Sequence, residues 1–477
     1  MSDFHGMKAL EGLNPFCSMS NYGAENADPL REDRFGRLFP DLAPAYTNPL
    51  ILHDIGRDGG PMDNGGTNTV SSSVPAGLIF FGQFVDHDIT LDASTSFDTV
   101  IDNPGEISNV RTPTLDLDCI YGLGPEAQPY LYEQGGDFGG VRLLTGADNP
   151  GQAGLNEHDL LRSPNGRAII GDPRNDENRV ISQIQLAMIR FHNHVAETIN
   201  SEEGLTGHDL YEEARRTTTW HYQWALVNDF LVALCGQPVV ERILGCGRRF
   251  YCGHVPFIPV EFSVAAYRFG HSMIPQRVAP RESNKVFTLF GDFGRGFNPL
   301  TEADHVVDWN TQLDTPAGGF TQPAQKLDTK LAGSLLALPF IDAPDEKSLA
   351  TRNLLRGNAF LLPGGEKIAA VMERPQAEID QVIAKIADLD ARIGADGIPL
   401  WLYLLAEAEV IGRETTTGNF EPGEALGPVG ATIVAEVLIG LMELDDHSFL
   451  GSNRNWSPRE EWNTLGKMLV SAQPTLP

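Results

Sequence analysis

Residues 80–90 read FFGQFVDHDIT, an apolar run broken by Gln83 and then by Asp86, His87 and Asp88. A histidine beside carboxylates and an amide can move protons, bind a metal or anchor a polar ligand. On a helix turning about 100° per residue, with Gln83 at zero, Asp86 falls near −60° and His87 near +40°. Asp88 falls near +140°, about 200° from Asp86. Gln83, Asp86 and His87 therefore share one face, and the two aspartates cannot do the same job. Taken alone, His87 could equally be a core histidine satisfied by a carboxylate.

Five further stretches carry comparable groups. In GDPRNDEN (171–178), Asp172-Pro173 can start a helical turn that sets Arg174 and Glu177 at i, i+3; the bland alternative is a surface ion pair. AAYRFGHSMI has Arg268 and His271 at the same spacing, with Gly270 leaving room beside the histidine. ATRNLLRGNAF puts Asn353 and Arg356 on one helical face. TPTLDLDCIYG pairs Asp116 with Asp118, and the nearby Thr112 and Thr114 suit an oxygen-rich calcium loop. With 64 acidic residues in the chain, such a pair also arises by chance. IRFHNHVAE offers His192, His194 and Glu197, which could be mistaken for a hydrolase metal site.

These groups need a scaffold, and helical periodicity dominates the chain. Ser73 can cap and Pro75 can open a helix through the first motif. Further helices are expected over about 180–200, through DLYEEARRTTTWHYQWALVNDFLVALCG to a stop at Gly236, and over about 263–274. Others cover EKSLATRNLLRG, PQAEIDQVIAKIADLDARIG (Pro375 to Gly394), PLWLYLLAEAEVIG and residues 429–444. Residues 92–165 suggest loops with at most short strands. The fold class is mainly α, without the β/α alternation of a doubly wound nucleotide fold. Residues 1–70, rich in Pro, Gly, Asn and Asp, are expected to form an extended arm, with 71–477 as one domain.

Composition removes several functions. Lys and Arg number 35 against 64 acidic residues, a formal charge of −29, which argues against nucleic acid as a partner. No apolar run approaches the roughly 20 residues of a membrane span; VGATIVAEVLIGLMEL carries Glu436 and Glu443 and is expected to be a buried helix. No secretory leader is visible, so a cytoplasmic location or leaderless export is expected. Five cysteines (17, 119, 235, 246 and 252) follow no zinc pattern and are expected to be free thiols, with Cys246 and Cys252 the one close pair.

Together and in order, these motifs resemble the haem peroxidases of the animal type, the peroxidase–cyclooxygenase superfamily, especially its bacterial members. The anchors are FGQFVDHDIT, LDLDCIYG, GDPRNDEN, IRFHNHVAE, AAYRFGHSMI and RNLLRGNAFLLPGG, and the likeness runs from about residue 35 to the C-terminal helices. It implies a helical core around a buried haem with few or no short strands. His87 would be the distal histidine, Arg174 the distal arginine, and Gln83 part of the distal pocket. His271 would bind the haem iron, with Asn353 on its other ring nitrogen. Arg268 and Arg356 would meet the propionates. Asp86 and Glu177 would form ester bonds to a haem b derivative. Asp88, Thr112, Thr114, Asp116 and Asp118 would hold calcium. His192, His194 and Glu197 would be structural.

The implied activity is heterolysis of hydrogen peroxide with oxidation of halide, thiocyanate or small aromatic donors. Two departures from the family pattern matter. Asn178 follows the ester glutamate where relatives with a sulfonium link have Met, which argues against chloride oxidation. Arg268 stands where lipid-oxygenating branches carry a radical tyrosine, and Tyr267, one place off, is expected to face elsewhere. Three rivals remain: a haem-dependent fatty-acid dioxygenase, a metal-dependent hydrolase built on His87, Asp88, His192 and His194, and a non-enzymatic adhesion scaffold. No RGD or KGD tripeptide supports the last.

Overall fold

Pro75 is extended (φ −66°, ψ 144°), and the helix bearing the first motif starts one residue later. The computed structural model describes residues 35–477 except 68, 92–99, 102, 108, 153, 283–284, 295 and 343–345. Cys17 and the first 34 residues of the expected arm lie outside this range. Among the described residues, nine helices have eight or more residues. They are α1 (Pro49–Gly56), α2 (Ala76–Ile89), α3 (Arg179–Glu203), α4 (Gly207–Ala225) and α5 (Gln237–Cys246). After these come α6 (Leu349–Ala359), α7 (Gln376–Leu389), α8 (Leu400–Val410) and α9 (Pro428–Glu443).

Strands are few and short. β1 (Phe35–Gly36) pairs in parallel with β3 (Ile258–Pro259). β2 (Val70–Pro75) runs antiparallel to β4 (Pro323–Gln325), with a register shift between Val70 and Pro75. β5 (Arg413–Thr416) and β6 (Asn419–Glu421) form a hairpin. The mainly helical expectation holds.

One apolar core runs through the helices. α9 is apolar on nearly every side and is buried accordingly. It tolerates Glu436 because that carboxylate accepts the backbone N–H groups of Arg249, Phe250 and Tyr251. Asn178 caps α3 by accepting from Ile181 N at 3.0 Å, and Gly204, at φ 71°, ends it in a left-handed turn that glycine adopts without strain.

Local detail departs from expectation in four places. Ser73 belongs to β2 rather than capping α2, and its hydroxyl donates to Glu424. α7 ends at Leu389, five residues before Gly394, because Asp390 turns to extended backbone. Within the span expected to be an arm, α1 packs Leu52 and Ile55 into the core. The segment carrying His271 is not a regular helix. It winds as a wide π turn (Glu261–Ala265), a tight 3₁₀ turn (Ala266–Phe269) and one α turn (Gly270–Met273).

Glu261, at the start of that segment, is fully buried and accepts from Leu38 N at 3.0 Å and Phe39 N at 3.1 Å. It ties the stretch near β1 to the His271 segment. Replacing Glu261 with Ala strands two N–H donors, so the urea midpoint should drop by an amount equivalent to about 2–4 kcal/mol. An unchanged midpoint would mean that this tie is not supporting the fold.

Candidate functional site

α2 is buried along its length except at Gln83 and Asp86, and these two residues line a cavity. The cavity has a volume of about 340 Å³, within the roughly 300–1,000 Å³ of ordinary ligand sites. His87, Glu177 and Asn178 continue its polar wall. Arg268 and His271 come from the irregular segment, and Arg352, Asn353 and Arg356 come from α6. Phe80, Phe230, Phe290, Leu338 and Phe340 supply apolar wall.

Both cavity histidines are held at Nδ1 by an asparagine. His87 Nδ1 lies 2.7 Å from Asn175 Oδ1, and His271 Nδ1 lies 2.8 Å from the Asn353 amide. Turning the Asn353 amide over presents Oδ1 instead, as an Nδ1–H tautomer requires. Each ring therefore keeps Nε2 for a ligand. Burial, assisted by the Arg174 charge, pushes the His87 pKa down to about 4. Burial and Arg268 bring His271 to about 3. Both imidazoles are neutral at physiological pH, as a proton acceptor or a metal ligand must be.

Gln83 bridges the polar wall: its Nε2 donates to Glu177 Oε1, and its Oε1 accepts from Asn178 Nδ2 at 3.3 Å. Glu177 Oε1 also lies 4.0 Å from His87 Nε2. Asp86 accepts from the Thr90 hydroxyl at 3.0 Å. Burial raises the Glu177 pKa to about 7; Asp172 and Asp86 push the same way, and Arg174 and Gln83 oppose them.

Asp88 points away from the cavity, as the helical angles require. It forms a cluster with Asp116 and Asp118, one oxygen of each lying within 4.8 Å of the others. Asp88 Oδ2 accepts from Leu117 N and the Tyr222 hydroxyl, both at 3.2 Å. Its Oδ1 is buried without a partner. Burial and the neighbouring Asp118 and Asp116 push the Asp88 pKa well up. The Thr114 hydroxyl donates to Thr112 at 2.9 Å. An orphaned carboxylate oxygen within an all-oxygen donor set fits a hard dication.

Two sequence expectations change. Arg174 does not line the cavity: its guanidinium grips the buried Asp172, with Nη2 at 2.7 Å, and donates to the His87 carbonyl at 2.9 Å. Tyr267 does line the cavity, because the π and 3₁₀ turns rotate it relative to an α-helix. Its hydroxyl nevertheless stays buried and unpartnered. His192 has both ring nitrogens occupied, by Tyr121 and the Val141 carbonyl at 3.0 Å each, so it is no metal ligand. Cys119, Cys235, Cys246 and Cys252 are free thiols.

Four residues of this region carried no expected site role: Asn175, Asp172, Arg111 and Arg352. Arg111 offered a visible signal, a cation next to TPTLDLD. Asn175 offered none, because His87 lies 88 positions away, and Asp172 gave only a helix-starting Asp-Pro.

A helical fold with two asparagine-tethered histidines on one large cavity fits a haem protein. Residues 92–379 match the family described as animal haem peroxidase, and the chain belongs to that family. It is 26% identical to rat (Rattus norvegicus) thyroid peroxidase over 376 residues, 72% of this chain and 39% of that one. It is 27% identical to Drosophila melanogaster chorion peroxidase over 256 residues, 51% of this chain and 31% of that one. The chain thus spans two fifths or less of these relatives. In structure it resembles peroxidase A from Dictyostelium discoideum (TM-score 0.65, 16% identity, 93% of each chain). It also resembles the fatty acid alpha-dioxygenase of Arabidopsis thaliana (TM-score 0.57, 15% identity, 93% of this chain and 76% of that one). These likenesses concern the fold. No helix among the described residues is long and apolar enough to cross a membrane.

A carboxyl with a raised folded-state pKa contributes stability below its unfolded value that is lost as pH rises through the folded one. For Glu177 the window runs from 4.5 to about 7. Infrared difference spectra of the haem-free protein should show carboxyl titration near pH 7 that loses one group's amplitude in Glu177→Gln. The remainder belongs to Asp118 and Glu407, which burial also raises to about 7. If the variant's spectra match the wild type, another carboxyl is responsible.

Proposed function

We propose that this protein is a haem peroxidase that cleaves hydrogen peroxide and oxidises halide, thiocyanate or small aromatic donors. One observation carries the proposal: two neutral histidines share one cavity, each held at Nδ1 by an asparagine. In this reading His271 Nε2 binds the iron, and Asn353 fixes the ring as an acceptor for its Nδ1–H. Arg268 and Arg356, on the same wall, hold the propionates. Bound haem supplies the iron at which the O–O bond breaks and the oxidising power passed to the donor.

The chain's own residues handle the proton. His87 Nε2 takes it from the near oxygen of peroxide and returns it to the leaving oxygen. Neutrality at Nε2 is maintained by burial and by the Arg174 charge. Arg174, now held by Asp172, supports charge on the departing oxygen if it turns inward. Gln83 orders a small molecule or water beside His87. Asp86 and Glu177, both on the cavity wall, are the groups for ester links to the haem. Asn178 in place of Met leaves no sulfonium link. Asp88, Thr112, Thr114, Asp116 and Asp118 form the calcium site, supported by the orphaned Asp88 oxygen.

Tyr267 on the wall is the observation that favours a fatty-acid oxygenase. Its hydroxyl is sealed from the cavity space, so it cannot meet a substrate there without moving; the peroxidase reading is preferred.

Purified with haem, the protein should show a Soret band and oxidise a panel of iodide, bromide, thiocyanate and phenols when peroxide is added. His87→Ala should cut the rate by about 10²–10⁴-fold while keeping the band. Full activity in that variant would displace His87 from its role. After turnover with peroxide, acidified organic solvent should leave haem on the protein, and less of it in Asp86→Asn and Glu177→Gln. Complete extraction from the wild type would refute the ester links.

A further inference from the structure

Asp172 is completely buried and is gripped from two sides. Arg174 reaches it through Nε and Nη2. Arg111 reaches it through Nε at 3.0 Å and Nη2 at 2.6 Å. The same Arg111 guanidinium donates through Nη1 to Asp118 Oδ1 at 3.0 Å and through Nη2 to the Gly171 carbonyl at 3.1 Å. Asp118 belongs to the acidic cluster with Asp88 and Asp116. An unbroken chain of charge-assisted contacts therefore runs from that cluster through Arg111, Asp172 and Arg174 to the backbone of His87.

We propose that Arg111 is a positioning residue that couples cation occupancy of the Asp88–Asp116–Asp118 cluster to the placement of Arg174 beside His87. The proposal rests on the haem and calcium reading above and goes beyond it. The physical basis is competition. A dication in the cluster attracts the Asp118 carboxylate and repels Arg111, weakening the contact between them. Arg111, which already reaches Asp172 through Nε and Nη2, then shifts wholly toward it and compensates its charge more fully. Asp172 holds Arg174 less tightly, and the guanidinium can turn to the cavity it does not line in this structure. Without a cation, Arg111 divides its donors between Asp118 and Asp172, and Asp172 keeps its grip on Arg174. Arg111 touches neither peroxide nor haem and acts only through Asp172.

The test uses the ferric holoprotein, cyanide as a small iron ligand that needs the His87 side, and terbium luminescence as the probe of the cluster. In the wild type, stripping the cation with a chelator should weaken cyanide binding about tenfold or more, the usual scale for one charge-assisted hydrogen bond. Arg111→Lys keeps the charge but cannot fork between two carboxylates. In that variant terbium should still bind, and cyanide affinity should change less than twofold with cation occupancy. A variant that binds terbium and keeps the tenfold dependence overturns the role of Arg111. Should Arg111→Lys fail to fold, a terbium titration of the wild type decides instead: cyanide affinity that ignores occupancy refutes the coupling. A wild type that binds cyanide but no terbium defeats the calcium reading itself, and one with no Soret band defeats the haem reading.

Discussion

Burying the polar residues of α2 on both of its sides is the constraint on which the rest of the structure depends. Desolvating a carboxylate or an imidazole costs several kcal/mol, of order 2–7 for a neutral polar group, unless partners replace the lost water. The polar groups on α2 are met by partners from other chain segments. Asn175 meets His87, and Leu117 and Tyr222 meet Asp88. At the cavity, Glu177 and Asn178 meet Gln83. The loops around 111–121 and 171–178 are thereby drawn to the helix from two directions.

These loops also serve the scaffold. Asn178 caps α3 while its amide reaches Gln83, so the start of the longest helix and the polar wall of the cavity share one residue. Arg111 joins the two loops through Asp172 and Gly171. Breaking a buried pair of this kind leaves an uncompensated charge, which is why such pairs are costly to disturb even where their net contribution to stability is small. Stability and site geometry rest here on the same contacts.

Much of the fold was legible in the sequence because helical periodicity is local. α3, α4, α8 and α9 lie where their apolar patterns put them, and Gly236 stops its helix with φ 91°. The segment carrying His271 was only partly legible. Its sequence has helical spacing, yet π and 3₁₀ turns replace the regular helix, and Tyr267 joins the wall with Arg268. Phe262 and Tyr267 stack at 4.7 Å across these turns, a packing contact that favours the irregular winding.

The sequence by itself determined that Asp86 and Asp88 serve different faces, since that follows from 100° per residue along one helix. It also brought Asn353 and Arg356 to one wall, and the short spacing of Asp116 and Asp118 to one cluster. Only the tertiary structure decided where Arg174 points. The family resemblance implied a distal arginine, but Asp172, two residues away, takes the guanidinium instead. It likewise decided that Asn175 holds His87 and that Arg111 bridges two loops. Those contacts join residues 61 and 88 positions apart. Long-range competition for one buried carboxylate depends on how the whole chain folds, and no local pattern encodes it.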